Sequence, residues 1–109
     1  MAYDEALAQR LREELSDRDG LSEKKMFGGL AFLVHGNMCV GVTGKDLLAR
    51  VGAARFDEVV GRAGARPFEM GGRSSVGWVV VDGAQIADPK TLSAWVEEAD
   101  RFVKTLPKK

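Results

Sequence analysis

The chain contains one histidine and one cysteine, His35 and Cys39, which are the side chains best suited to nucleophilic or metal chemistry. A catalytic Cys–His pair requires side chains within hydrogen-bond reach, and a zinc site requires three or four ligands. The strand register predicted from the turns places these two residues on opposite faces of a sheet. We therefore expect no catalytic residue, no metal and no cofactor, and we interpret Cys39 as a small buried hydrophobic residue.

Arginines are the other residues that could bind a ligand, because a guanidinium pairs with carboxylate or phosphate through two parallel hydrogen bonds. Residues 24–73 hold eight bases and four acids. The bases of interest in this segment are Arg50, Arg55, Arg62, Arg66 and Arg73. Arg50 lies in an apolar strand, and Arg66 and Arg73 flank a short strand that precedes Trp78. These side chains could form an anion or partner site; alternatively, they only keep the surface solvated.

Two glycine pairs could be mistaken for phosphate-binding loops. They lie in Met26-Phe27-Gly28-Gly29 and in Gly71-Gly72. Neither has the GxxxxGK[ST] spacing, and no predicted helix begins directly after either pair. We interpret both as turns or bulges with a structural role.

Length, charge and cysteine content exclude several classes of protein. With 109 residues, 45% of them hydrophobic, the chain is expected to form a single domain over residues 1–109. Its 16 basic and 16 acidic residues cancel, which argues against direct binding of nucleic acid. One cysteine cannot form an internal disulfide, and the acidic N-terminus is not a signal peptide. No apolar run reaches the ~18 residues of a membrane span, so we expect a cytoplasmic protein without membrane contact.

The elements that would position these residues are three amphipathic helices and about five strands. Helices are predicted over residues 4–18 and 53–63 and from Asp88-Pro89 onward, where Asp88 caps and Pro89 begins the helix. Short apolar runs separated by glycines predict antiparallel strands. The order is α-β-β-β-α-β-β-α, with a possible extra short strand at 24–27. This pattern predicts an α+β fold, an antiparallel sheet covered by helices.

Two-residue turns at Gly36-Asn37 and Gly44-Lys45 would fix the register of the first three strands. The predicted core face then carries Ala31, Leu33, His35, Met38, Val40, Val42, Leu47, Ala49 and Val51. The other face carries Leu30, Phe32, Val34, Cys39, Gly41, Thr43, Asp46, Leu48 and Arg50. A shift of one residue in the pairing register would move the side chains of a strand to the opposite face of the sheet.

The second face suggests a surface for self-association. Leu30, Phe32, Val34 and Leu48 would form an apolar patch on the order of several hundred Å², a size typical of contact sites. We expect a two-fold homodimer to bury it, unless the segment around Gly71-Gly72 covers it within one chain. The candidate ligand- or partner-binding residues are Phe32, Leu48, Arg50, Arg66, Arg73 and Trp78.

Several segments of the chain, in order and spacing, resemble the TfoX/Sxy N-terminal domain family over about residues 5–105. The matching segments are Lys25-Met26-Phe27-Gly28-Gly29-Leu30-Ala31-Phe32, Gly36-Asn37-Met38-Cys39, Leu47-Leu48-Ala49-Arg50-Val51-Gly52, Ala65-Arg66-Pro67-Phe68 and Gly77-Trp78-Val79. The resemblance implies an α+β domain with an antiparallel sheet. The family takes its name from bacterial regulators of competence genes that act with a global transcription factor. Their C-terminal domain has no counterpart in these 109 residues, so we expect a stand-alone domain of the N-terminal type.

Two functions remain open from the sequence. The first is a non-enzymatic, single-domain interaction module, a regulator of transcription or competence by resemblance, that binds a protein partner or itself. The second is a small-ligand or anion-binding domain that uses Arg50, Arg66, Arg73 and Trp78.

Overall fold

The structure, a computed structural model, describes residues 3–26, 28–70 and 72–108; the side chains of Met70, Arg73 and Ser74 lie outside the description. In chain order these residues form α1 (Glu5–Glu14), β1 (Leu21–Met26), β2 (Gly29–Val34), β3 (Asn37–Thr43), β4 (Asp46–Arg50), α2 (Ala53–Val59), β5 (Ala65–Met70), β6 (Arg73–Val81) and α3 (Pro89–Val103). A 3₁₀ turn over Gln85–Ala87 precedes α3.

The α+β class and the antiparallel sheet are confirmed, but the described residues form six strands rather than about five. The strands lie in the order β1-β2-β3-β4-β6-β5, each antiparallel to its neighbours. The additional strand is β1, which is longer than the segment suspected at residues 24–27. Four of its six residues are exposed. A polar edge strand lacks the apolar alternation from which strands are predicted.

Two of the three helices end earlier than their apolar spacing suggested. Asp4 caps α1 by accepting hydrogen bonds from the backbone N–H groups of Ala6 and Leu7 at 2.9 and 3.1 Å. The spacing predicted this helix to residue 18 and α2 to residue 63, but they end at Glu14 and Val59. The remaining residues of both segments form turns that still direct apolar side chains inward, so periodicity alone does not mark the helix end.

The third helix begins at Pro89 as predicted, but Asp88 does not cap it in the expected way. Its carboxylate accepts a hydrogen bond from the hydroxyl of Thr91 at 3.0 Å, and it bonds to no backbone N–H of the first turn. The fixed φ of Pro89 therefore provides the local preference for helix at this position.

One side of the sheet, which we call the helix side, packs against all three helices. Leu11 of α1, Val59 of α2 and Val96 of α3 are at most 2% exposed and pack in one cluster with strand residues. The strand members of this cluster are Leu30, Phe32, Val34, Cys39, Val40, Val42, Leu47, Ala49, Val79 and Val81. Val59 is fully buried, whereas Phe56 and Val60 are only partly buried against the same cluster.

The first hairpin differs from the predicted one in its turn and in a bulge, and the bulge exchanges the two faces of β2. Val34 pairs with Asn37, so the turn is His35-Gly36 rather than Gly36-Asn37. Both turn residues have positive φ, 51° and 82°, as a type I′ turn requires, and histidine tolerates this conformation better than most residues. A bulge follows, because Leu33 pairs with Met38 while Phe32 pairs with Val40. The unpaired residue is Cys39.

This register corrects several face assignments and removes the patch proposed for self-association. Leu30, Phe32 and Val34 lie beneath the helices, and Phe32 is fully buried, so Phe32 cannot contact a partner. Ala31, Leu33 and Met38 lie on the opposite side instead. The bulge also turns Cys39 toward the helices, which explains why strict alternation misplaces it.

The second hairpin is confirmed. Thr43 pairs with Asp46 across Gly44-Lys45, and Gly44 has φ 60°, as the first position of a type II′ turn requires. Leu47 and Ala49 therefore lie on the helix side, as predicted.

The opposite side, which we call the open side, carries a second apolar cluster. Its buried members are Ala31, Met38, Leu48 and Val80, and Met26, Leu33, Phe68 and Trp78 pack around them, partly exposed. Met26 belongs to β1 and Phe68 to β5, the two outer strands, yet both line one small cavity beside Leu48. The sheet therefore curves toward the open side. This curvature leaves Leu48 only 3% exposed.

The Met26-Phe27-Gly28-Gly29 segment forms the turn between β1 and β2. Met26 pairs with Gly29, and Gly28 has φ 70°; Phe27 lies outside the described residues. A side chain at Gly29 would come within 2.0 Å of the carbonyl oxygen of Val42. The glycines of this segment therefore permit a tight turn and close strand packing, which supports their structural interpretation.

Candidate functional site

The histidine and the cysteine lie in different environments. Cys39 is fully buried on the helix side, and burial raises the pKa of its thiol to about 12. Such a thiol is protonated at neutral pH and is a weak nucleophile. His35 lies in the hairpin turn, with Nε2 3.9 Å from a carboxylate oxygen of Asp19. No hydrogen bond joins the two side chains in the part of the chain that the structure describes.

Of the four residues proposed as an anion site, the structure brings Arg50 and Trp78 together. They are paired neighbours on β4 and β6, and the guanidinium carbon of Arg50 lies 5.2 Å from the centre of the Trp78 ring. Arg66 belongs elsewhere, because it pairs with Asp46 at 2.9 Å, at the other end of β4. The side chain of Arg73 lies outside the described part.

A second aromatic ring, which the sequence did not identify, completes the surroundings of Arg50. Phe102 of α3 lies 5.5 Å from the same guanidinium carbon, measured to the ring centre. A side chain at Gly52 would come within 2.4 Å of this ring, and the backbone N–H groups of Val51 and Gly52 donate to the carbonyl of Gly77. Gly52 thus gives the ring room at the end of β4. A glycine directly after a strand was the available signal.

Arg50 differs from the other arginines whose side chains are described. Each of the others is engaged by a carboxylate or a carbonyl: Arg10 by Ile86, Arg12 by Glu23, Arg18 by Asp17 and Glu97, Arg55, Arg62 and Arg101 by Glu98, and Arg66 by Asp46. Within the described residues, Arg50 has neither an ion pair nor a hydrogen bond, only its two aromatic contacts. It is partly exposed, so its N–H donors are accessible to a ligand.

Two carboxylates of α3 are buried, and one of them, Glu98, pairs with two bases of the central segment, Arg55 and Arg62. Glu98 is 4% exposed and accepts two hydrogen bonds from Arg55, at 3.0 and 2.9 Å, and one from Arg62 at 3.4 Å. The hydrogen bonds from Arg55 lower the pKa of Glu98. Arg62 also lies 5.4 Å from the ring centre of Trp95. Arg55 and Arg62 therefore hold α2 and the turn that follows it against α3, and neither is free to form an anion site.

Asp100 is the second of these carboxylates and is 1% exposed. Its Oδ2 lies 3.4 Å from Nε of Arg18 and 3.1 Å from Nζ of Lys104. Arg18 belongs to the segment that follows α1, so this pair ties the N-terminal segment to α3. The charges of Asp100, Arg18 and Lys104 are therefore neutralised within the fold, as are those of Glu98 and its arginines.

The described residues contain no cluster of three or more His, Cys, Asp or Glu side chains suited to a metal ion. Among their helices, none has both the length and the apolar character needed to cross a membrane.

The comparisons with known proteins give one match. The family model described as TfoX N-terminal domain matches residues 13–103. No curated protein and no solved structure matches the chain. Because the family model covers most of the sequence, the chain belongs to the TfoX N-terminal domain family.

Proposed function

We propose that this protein is a non-enzymatic, single-domain interaction module that binds a partner protein through its open side. One observation carries the proposal: the three helices cover only one side of the sheet, and the other presents large, partly exposed apolar side chains beside an unpaired guanidinium. Leu33, Phe68 and Trp78 supply the apolar surface, and Val76 of β6 is 64% exposed. Apolar surface around one polar anchor is typical of contact sites.

Charge favours a foreign partner over a second copy of the chain. A two-fold contact would bring identical surfaces together, so the acceptor for Arg50 would have to come from this same side of the sheet. Asp46 on this side already accepts hydrogen bonds from Arg66 and from the backbone N–H of Gly83, which leaves Glu69 of β5, in the same pocket, as the acid that a second copy would have to offer. A partner that brings its own acid places no such demand on this surface.

The outer strands also discourage self-association by strand pairing. Lys24 and Lys25 are exposed on β1, and Pro67 lies in β5 and has no N–H to donate. Lysines and prolines on edge strands oppose extension of a sheet into a second molecule.

The absence of a catalytic reaction is part of the proposal. It is supported by the two side chains best suited to chemistry: the Cys39 thiol is buried with a pKa of about 12, and His35 lies apart from it in a turn. A regulatory role in transcription or competence, in the bacterial cytoplasm, is supported by the resemblance to the N-terminal domains of competence regulators.

Affinity capture from the cells that produce the protein, followed by titration of the purified partner, tests this proposal. We expect one protein to be enriched by the wild-type chain and by Ala94→Glu, an exposed change on α3. Val76→Glu, at the exposed residue two positions before Trp78 in β6, should weaken binding at least about tenfold, because it introduces a charge into an apolar contact. Equal binding by both variants, or light scattering that shows a dimer broken by Val76→Glu, would overturn it.

A small-anion site is the second candidate function, and the unpaired guanidinium of Arg50 is the observation that favours it. In this alternative function, Arg50 and Trp78 bind a free anionic metabolite. Arg66 is not included, because Asp46 neutralises it. A thermal-shift screen of carboxylated and phosphorylated metabolites against wild-type and Arg50→Gln protein would separate it from partner binding.

A further inference from the structure

The strongest unexplained feature of the molecule is the environment of Arg50. Its guanidinium lies near the faces of two aromatic rings, those of Trp78 and Phe102. Aromatic faces attract the cation but accept few hydrogen bonds. The five N–H donors of a guanidinium form its edge, and no described residue accepts a hydrogen bond from that edge in Arg50.

The same molecule shows what such an edge binds. Arg55 donates two hydrogen bonds to the two oxygens of Glu98, the paired geometry by which arginine binds carboxylates. Arg50 instead lies between two aromatic rings, and no described residue supplies it with a carboxylate. Since water satisfies the donors of a partly exposed group, the incoming ligand must replace that water with acceptors of matching geometry.

We propose that Arg50 binds a carboxylate group carried by the partner protein, and that Trp78 and Phe102 hold the guanidinium in position for it. This inference rests on the proposed function and names the chemistry that its site recognises. The net charge of the site favours a carboxylate over a phosphate. A phosphate dianion calls for more than one cation, and the described bases beside Phe102, Arg55 and Arg101, already pair with Glu98.

The Nε–H resonances of the arginines in a ¹⁵N-labelled protein provide a test that needs no partner. Sodium acetate serves as the probe, with sodium chloride and inorganic phosphate at equal ionic strength as controls. The Arg50 signal is assigned by its absence in Arg50→Lys. We expect acetate to shift this signal along a saturating curve with a dissociation constant of about 10–100 mM, as one charge-assisted pair would give, and phosphate to shift it less.

Arg66→Lys is the matched control, because this arginine lies on the same side of the sheet but already has a carboxylate. It should leave the acetate shift of Arg50 unchanged. Phe102→Leu should weaken acetate binding several-fold while the amide spectrum still reports a folded chain, because the guanidinium loses one of the rings that orient it.

The outcomes separate this inference from the proposed function. An Arg50 shift with acetate no larger than with chloride, or a larger shift with phosphate, overturns the carboxylate site even if a partner has been found. Acetate binding together with a partner whose affinity is unaffected by Arg50→Gln overturns the assignment of the carboxylate to the partner. Acetate binding with no partner at all leaves a free carboxylate as the ligand and rejects the interaction module.

Discussion

The two sides of the sheet use similar residue types in different ways. On the helix side, large apolar residues such as Phe32 and Val40 are fully buried, and the arginines above them are paired with the buried carboxylates of Glu98 and Asp100. On the open side, Trp78 and Phe68 are partly exposed, and Arg50 has aromatic neighbours but no acid within the described residues. The helix side therefore maintains the fold, and the open side is the one that we propose binds a partner.

The largest expected effect comes from placing a charge on the helix side. Val40→Asp should unfold the domain, because an unpaired buried carboxylate costs more than about 4 kcal/mol, most of the stability of many small domains. Val76→Asp, at a site that is 64% exposed, should change the free energy of unfolding by less than about 0.5 kcal/mol. Urea denaturation followed by circular dichroism measures both. A cooperatively folded Val40→Asp variant would show that the two sides are wrongly assigned.

A smaller effect is expected at the α2–α3 contact. Glu98→Gln removes the charge that Arg55 and Arg62 share. We expect a loss of about 1–2 kcal/mol, because hydrogen bonds to a charged group are among the stronger ones but the Arg55 side chain is 40% exposed and solvent weakens its pairing.

The pH dependence of the stability lost in Glu98→Gln tests whether the loss comes from the charge of Glu98. The pKa of Glu98 is lowered in the folded protein, so its ion pairs stabilise the fold above the ordinary glutamate pKa. This contribution is lost as the pH falls through the lowered pKa of the folded state. The difference between wild type and Glu98→Gln in urea midpoint should therefore be full at pH 7 and shrink toward pH 3. A difference in urea midpoint that is the same at pH 7 and pH 3 would show that packing, and not charge, holds α2 against α3.

The thiol of Cys39 should have little effect on function. Because it is buried and has a raised pKa, iodoacetamide at pH 8 should label the native protein at least about 100-fold more slowly than the urea-unfolded chain. Cys39→Ser should leave partner binding within a few-fold of wild type. Rapid native labelling, or loss of binding by a folded Cys39→Ser variant, would reopen a thiol-based function.

The sequence predicts the fold class well because its signals are local. Gly44 at the first position of a two-residue turn correctly gave the register of β3 with β4. The first hairpin was wrong by one residue because His35, not a glycine, takes the first positive φ of the turn. The bulge at Cys39 then displaced the remaining pairs. Moving the turn by one residue shifts the pairing by two and keeps the faces, so it was the extra residue of the bulge that exchanged the faces of β2, and with them the predicted contact surface that included Phe32.

The site was only partly predictable because its members are distant in sequence. Arg50 stood out as a base within an apolar strand, and Trp78 was identified with it. Phe102 lies within the third predicted helix, and nothing in helical spacing shows that its ring reaches the end of β4 over Gly52. The pairing of Arg66 with Asp46 likewise depends on strands that meet only in the folded sheet. Long-range contacts of this kind are set by tertiary packing.

The most direct test of the division between the two sides is the dissociation constant of the partner for Arg50→Gln against wild type, with urea denaturation of both chains. We expect binding at least about tenfold weaker and a free energy of unfolding changed by less than about 0.5 kcal/mol, because Arg50 has no acid to lose within the described fold. Unchanged affinity for Arg50→Gln, with binding lost instead in the helix-side variant Ala94→Glu, would contradict it.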